Sequence, residues 1–144
     1  MAILKKIRYL HWQDIVYLNE ALILSVIIKL IILIFPFRLY AEKLESQKMP
    51  LQAYSPDQKK HILFKISQAI VRVRRITPWK NQCLTEAITA KWMLRRRNVS
   101  STLFFGVSKD NNVLTAHAWL KCDEFFVTGR KGMHKFTTVR TFEG

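Results

Sequence analysis

The stretch from Pro78 to Trp119 opens Pro78-Trp79-Lys80-Asn81-Gln82-Cys83-Leu84 and closes Leu114-Thr115-Ala116-His117-Ala118-Trp119, and its reading decides the fold. Thr77 precedes a proline and is therefore pushed out of helical geometry, which ends the helix before it. A new helix is expected from Asn81 or Gln82 to Arg97, with Asn98 as its left-handed terminator. On that helix Cys83, Ala87, Ala90 and Leu94 share one face, and the small residues let a neighbouring backbone come close. A cysteine on a first helical turn sits at the positive end of the backbone dipole, a setting that favours the nucleophilic thiolate. An arbitrary helix cysteine is more often an inert core residue. The first-turn position and the stiff Pro78-Trp79 approach shift that balance toward chemistry without reversing it alone.

After Asn98 the apolar period changes from helical to two. Ser101–Ser108 reads as a strand, Asp110-Asn111-Asn112 as a turn, and Val113–Lys121 as the returning strand. Asp123-Glu124 turns the chain into Phe125–Thr128, and Phe136–Val139 is a fourth candidate strand. Helices first and an antiparallel sheet afterwards make the fold α+β, with the sheet packed on the central cysteine-bearing helix. Alternation sends Val113, Thr115, His117 and Trp119 to one face of the second strand and Leu114, Ala116, Ala118 and Leu120 to the other. Both faces are apolar enough to be covered.

Upstream, Ser55 is an N-cap with Pro56 at the first helical position and Gln58 as its capping-box partner. Ile62, Ile66, Ala69, Val73 and Ile76 then trace one buried face, thickened by Leu63 and Ile70. Residues 42–54 are polar, contain Pro50, and read as a linker. Ile15–Phe35 is the most apolar segment and reads as a long helix ended by Pro36. Its uninterrupted apolar run is shorter than a spanning helix wants, and no small-residue cleavage site follows. Two readings remain for it: burial against this protein or a partner, and a membrane-surface helix flanked by Lys5, Lys6, Arg8 and Arg38. Glu20 and Lys29 are ill placed in lipid, which favours the first.

At 144 residues the chain is expected to form a single domain, with 1–50 an apolar helical N-terminal extension. Cys83 and Cys122 alone make no disulfide framework, so the expected setting is reducing and cytoplasmic, with membrane association through the N-terminal helix as the addition. No CxxC or HExxH occurs and the four histidines are scattered, so no metal is expected. A net charge of +14 attracts anionic partners of any class, yet no phosphate loop or zinc-finger spacing accompanies it and nucleic acid is not expected.

A helix-borne Cys followed by a strand-borne His is the layout of papain-like and transglutaminase-like enzymes. Pro78-Trp79, Cys83-Leu84, Ala87, Leu94, Arg95-Arg96-Arg97, Ser101-Thr102-Leu103, Gly106-Val107 and His117-Ala118-Trp119 resemble the transglutaminase-like leader peptidase of bacterial lasso-peptide biosynthesis. The likeness reaches upstream to Pro36-Phe37-Arg38 and covers nearly the whole chain. It implies a cysteine peptidase that removes the leader from a ribosomally made precursor. Such an enzyme works beside a small leader-binding protein and an ATP-using cyclase. No bound cofactor is implied for the chain itself, although ATP dependence of the reaction follows from the resemblance.

The resemblance assigns Cys83 as nucleophile and His117 as general base, and later as proton donor to the leaving amine. The Cys83 amide, with Gln82 as a second donor, would hold the oxyanion. Trp79 and Trp119 are candidate cleft walls. The third triad member is where the chain departs from its relatives: Gly129 stands about where many carry Asp. Asp123 qualifies only if the strand turns early or bulges, since six residues of regular strand carry it about 20 Å from His117. Otherwise a backbone carbonyl, Thr128 or a distant acid orients the ring. The alternative to a peptidase is a catalytically silent scaffold that binds a precursor peptide or partner protein.

Overall fold

The computed structural model describes residues 11–44, 53–79 and 83–144. Helix α1 spans Trp12–Ile34 and stops at Phe35, which is extended ahead of Pro36. Helix α2, Phe37–Leu44, occupies ground expected to begin a linker. Its helicity follows from what it packs on: Phe37 meets Phe105 and Phe142 with ring centroids 5.8 and 6.1 Å apart, and Ala41 and Leu44 are buried. Tertiary contact thus overrides a polar local composition.

Helix α3, Pro56–Ile76, begins as its sequence dictates. Ser55 Oγ accepts the Gln58 amide at 3.3 Å, and Gln58 Oε1 accepts the Ser55 amide at 3.1 Å. Ile62, Leu63, Ile66, Ala69, Ile70 and Val73 form its buried stripe, and Thr77 is extended before Pro78. Helix α4, Cys83–Arg96, packs against α1, α3 and the sheet, and nine of its fourteen residues are buried. Asn98 ends this arm in a left-handed conformation, φ +55°.

Strands β1 (Thr102–Asp110), β2 (Val113–Cys122), β3 (Phe125–Thr128) and β4 (Thr137–Phe142) form one antiparallel sheet in the order β3-β2-β1-β4. A two-residue turn, Asn111-Asn112, joins β1 to β2 with φ of +48° and +63°, the twist that a tight hairpin requires. β2 pairs regularly with β1 from Val113 to Lys121. Its pairing with β3 is confined to Leu120–Cys122, so β2 has a free edge beside His117. Ala118, Leu120 and Cys122 belong to the main core with the helices, whereas His117 and Trp119 fall on the other face by alternation.

Candidate active site

Cys83 lies on the first described turn of α4 and His117 in the middle of β2. Both line one open cleft of about 620 Å³, walled on the helical side by Val71 and Arg74 and on the sheet side by Phe126, Thr128 and Gly129. The short β3 makes this possible. Where β3 leaves β2, residues 129–131 join His117 in lining this cleft. Cys83 is half-buried rather than sealed in the core. The thiol and the imidazole are not hydrogen-bonded to each other. Contacts of this kind often close only around substrate.

Four features set the orientation of His117. Its partner across β1 is Gly106, where a Cβ would stand 2.9 Å from the Trp119 ring and 3.0 Å from Phe136 Cβ. The missing side chain gives Trp119 room to lie at 5.8 Å from the imidazole and Phe136 at 5.0 Å, centroid to centroid. Phe104 stacks on Trp119 at 5.6 Å and supports the ring further out. The last feature is polar: His117 Nε2 lies 2.8 Å from the Gly129 carbonyl oxygen. A carbonyl only accepts, so Nε2 carries the proton and Nδ1 keeps the lone pair in the neutral ring. That is the tautomer a base facing the cleft needs.

Gly129 has φ +73°, and a Cβ there would meet the Ala118 oxygen at 2.6 Å and Trp119 Cβ at 2.7 Å. The close approach that aims its carbonyl at His117 therefore excludes any side chain, an aspartate included. Asp123 does not fill the vacancy. β2 keeps its register with β1 through Lys121, its pairing with β3 shifts by one residue between Leu120 and Lys121, and Asp123 sits in the following turn at φ +51°, 75% exposed and paired with Lys59 at 2.7 Å. The structure does not bring Asp123 into the cleft that His117 lines, and the polar contact it shows for the ring is the Gly129 carbonyl.

Of the aromatic residues expected at the cleft, Trp79 lines it. Trp119 does not; it is 2% exposed and backs the imidazole instead. Gln82 lies outside the described residues. Thr128 lines the cleft, but its buried hydroxyl makes no hydrogen bond to His117 or to any other described residue.

One charged element escaped the sequence reading. Glu86 lies one helical turn beyond Cys83, nearly buried, and Arg74 of α3 grips it with two 2.6 Å hydrogen bonds. The paired carboxylate pushes Arg74 still higher than its usual range, so the guanidinium stays ionised as part of the cleft wall. The available signal was Glu86's place three residues after Cys83, beside the buried face. Arg130 and Lys131 also line the cleft, exposed and without a carboxylate partner among the described residues. Among the described residues no group of three or more His, Cys, Asp or Glu is placed to hold a metal ion.

A protein-family model described as the transglutaminase-like superfamily matches residues 31–141. That span covers α4, the whole sheet and the cleft between them. Searches of curated proteins and of solved structures return no match.

Proposed function

The chain belongs to the transglutaminase-like superfamily, and from that premise we propose that it is a cysteine peptidase which removes the leader from a lasso-peptide precursor. The observation that carries the reading is the opening of Cys83 and an oriented His117 into one cleft. The motifs Pro78-Trp79, Cys83-Leu84 and His117-Ala118-Trp119 support the narrower substrate class by resemblance. A separate leader-binding protein and an ATP-using cyclase are the partners that this class brings with it.

In the proposed reaction Cys83 Sγ attacks the scissile carbonyl carbon while its proton passes to His117 Nδ1. The tetrahedral oxyanion is held by the Cys83 amide. The imidazolium then gives its proton to the departing amine, the C–N bond breaks, and a thioester remains. Water, deprotonated by the same nitrogen, hydrolyses it and frees the thiol. The Gly129 carbonyl keeps the ring's tautomer and direction throughout but adds no negative charge, so the expected rate is below that of a full triad.

A second reading, the silent scaffold, draws on the same glycine and on the unmade thiol–imidazole hydrogen bond. One experiment separates the two. Precursor peptide and leader-binding protein are incubated with wild type, Cys83→Ala and His117→Ala, and the products are read by mass spectrometry. Cleavage by wild type alone supports the peptidase. Cleavage that survives Cys83→Ala refutes it, and no cleavage by any version favours the scaffold.

A further inference from the structure

Helix α1 is built for lipid on one side. Trp12, Val16, Ile23, Ile27, Leu30 and Ile34 follow each other at helical spacing, all exposed, in a stripe about 30 Å long. Of the two α1 carboxylates, Asp14 lies on the opposite side, whereas Glu20 falls at the stripe's own spacing between Val16 and Ile23 and is covered by arginines. Asp14 is bound by Lys65 with Arg72 at 4.0 Å, and Glu20 is held by Arg97 at 2.6 Å and Arg96 at 3.4 Å. The hydrogen bond from Lys65 holds the Asp14 carboxyl below its usual range, which keeps it ionised and fixed inward. The arginines leave the Glu20 side chain only 10% exposed, so the continuous apolar part of the stripe is the Ile23–Ile34 half.

The charge that α1 leaves outside is Lys29, with Arg38 and Lys43 outnumbering Glu42 just beyond it, on a chain of net +14. Near the same end of the helix, on a different side from the stripe, a mostly apolar recess of about 250 Å³ is lined by Ile31, Ile32, Phe35, Leu39, Lys43 and Trp92. The geometry is that of a helix lying in the interface plane rather than crossing it. The ion pairs at Asp14 and Glu20, with buried Ala21, Ser25 and Ile28, hold the opposite side on α3 and α4, and a spanning helix would have to break them. We propose that this face docks the protein on an anionic phospholipid bilayer, with the α1 stripe sunk to the acyl boundary and the surrounding cations at the headgroups.

The test is flotation of the full chain with vesicles of phosphatidylcholine alone and of phosphatidylcholine with about one lipid in three phosphatidylglycerol. Wild type is expected to float with the anionic vesicles and much less with the neutral ones. The triple variant Ile27→Glu, Leu30→Glu, Ile34→Glu is expected to lose about tenfold or more of that binding. Its circular dichroism should be unchanged, because all three side chains are exposed. A second readout needs no apolar-to-acid change. Brominated anionic lipids should quench wild-type tryptophan fluorescence, and Trp12→Phe should remove most of the quenching. Failure of wild type to float, equal flotation of the triple variant, or absence of quenching would each overturn the proposal. So would a lipid-free dimer that the triple variant dissolves, since a second copy would then own the face.

Discussion

Helices α1 and α4 contrast in a way that runs against their compositions. α1 is the most apolar helix and leaves much of its surface outward; α4 contains Cys, Glu, Lys and two Thr, yet lies mostly inside. The buried charges of α4 and the Thr89 hydroxyl meet specific partners, while the buried Trp92 Nε1 has none among the described residues. Thr89 Oγ1 donates to the Thr85 carbonyl at 2.6 Å, Lys91 Nζ to the Ser101 carbonyl at 2.9 Å, and Glu86 accepts from Arg74. Position between two layers, rather than hydropathy, decides which helix forms the core, and a polar helix there is tolerated only when it is satisfied group by group. The helix that carries Cys83, the proposed nucleophile, is thus the most constrained, and the most exposed helix the least.

The sharpest way to break the contrast is Cys83→Ala. It should cut cleavage by a factor of about a thousand or more with little change in stability, as end-point assays of precursor processing would read. Next comes packing. Met93→Ala on α4 should cost about 2–5 kcal/mol in denaturant unfolding, because Met93 is fully buried. Leu33→Ala on α1, 69% exposed, should stay within about 0.5 kcal/mol. Comparable losses at the two sites would erase the distinction.

Lys91 offers a third test. At 1% exposure its ammonium is desolvated, and its pKa falls from 10.5 to about 8. The folded chain then holds fewer protons than the unfolded chain between those values, so stability should rise with pH across that window, by on the order of 3 kcal/mol. Below about pH 8 the cost of the buried charge is fully present. In Lys91→Met the rise should vanish, as urea midpoints from pH 7 to 10.5 would register. The smallest expected effect is at Asp123→Asn. Its exposed ion pair with Lys59 is worth under about 1 kcal/mol, and cleavage should stay within about twofold of wild type. A large loss of activity there would restore Asp123 to the reaction.

Much of this arrangement was legible from residues alone where local chemistry dominates. The Ser55/Gln58 capping box, the Asn98 terminator and the Asn111-Asn112 hairpin each act within a few residues, and each stands where the sequence puts it. What escaped depends on long-range packing. A helix apolar on every side carries no periodic signal for which side is covered, so the outward stripe of α1 could not be told from a buried one. Glu42–Leu44 looked like linker because the rings that hold α2 come from β1 and β4. Trp119 shares its strand face with His117 and looked equally open, but the loop carrying Gly129 and Phe136 folds over it. The Glu86–Arg74 pair joins two helices whose packing angle no local pattern gives.

A main-chain oxygen holds the histidine ring here, and main-chain atoms survive side-chain substitution. An alanine scan of the acids would pass over this support without registering it, and the residue that supplies it would look like a spare turn glycine. It is better reached through the backbone itself, by replacing the Gly129–Arg130 amide with an ester. That change weakens the carbonyl as an acceptor while leaving every side chain in place.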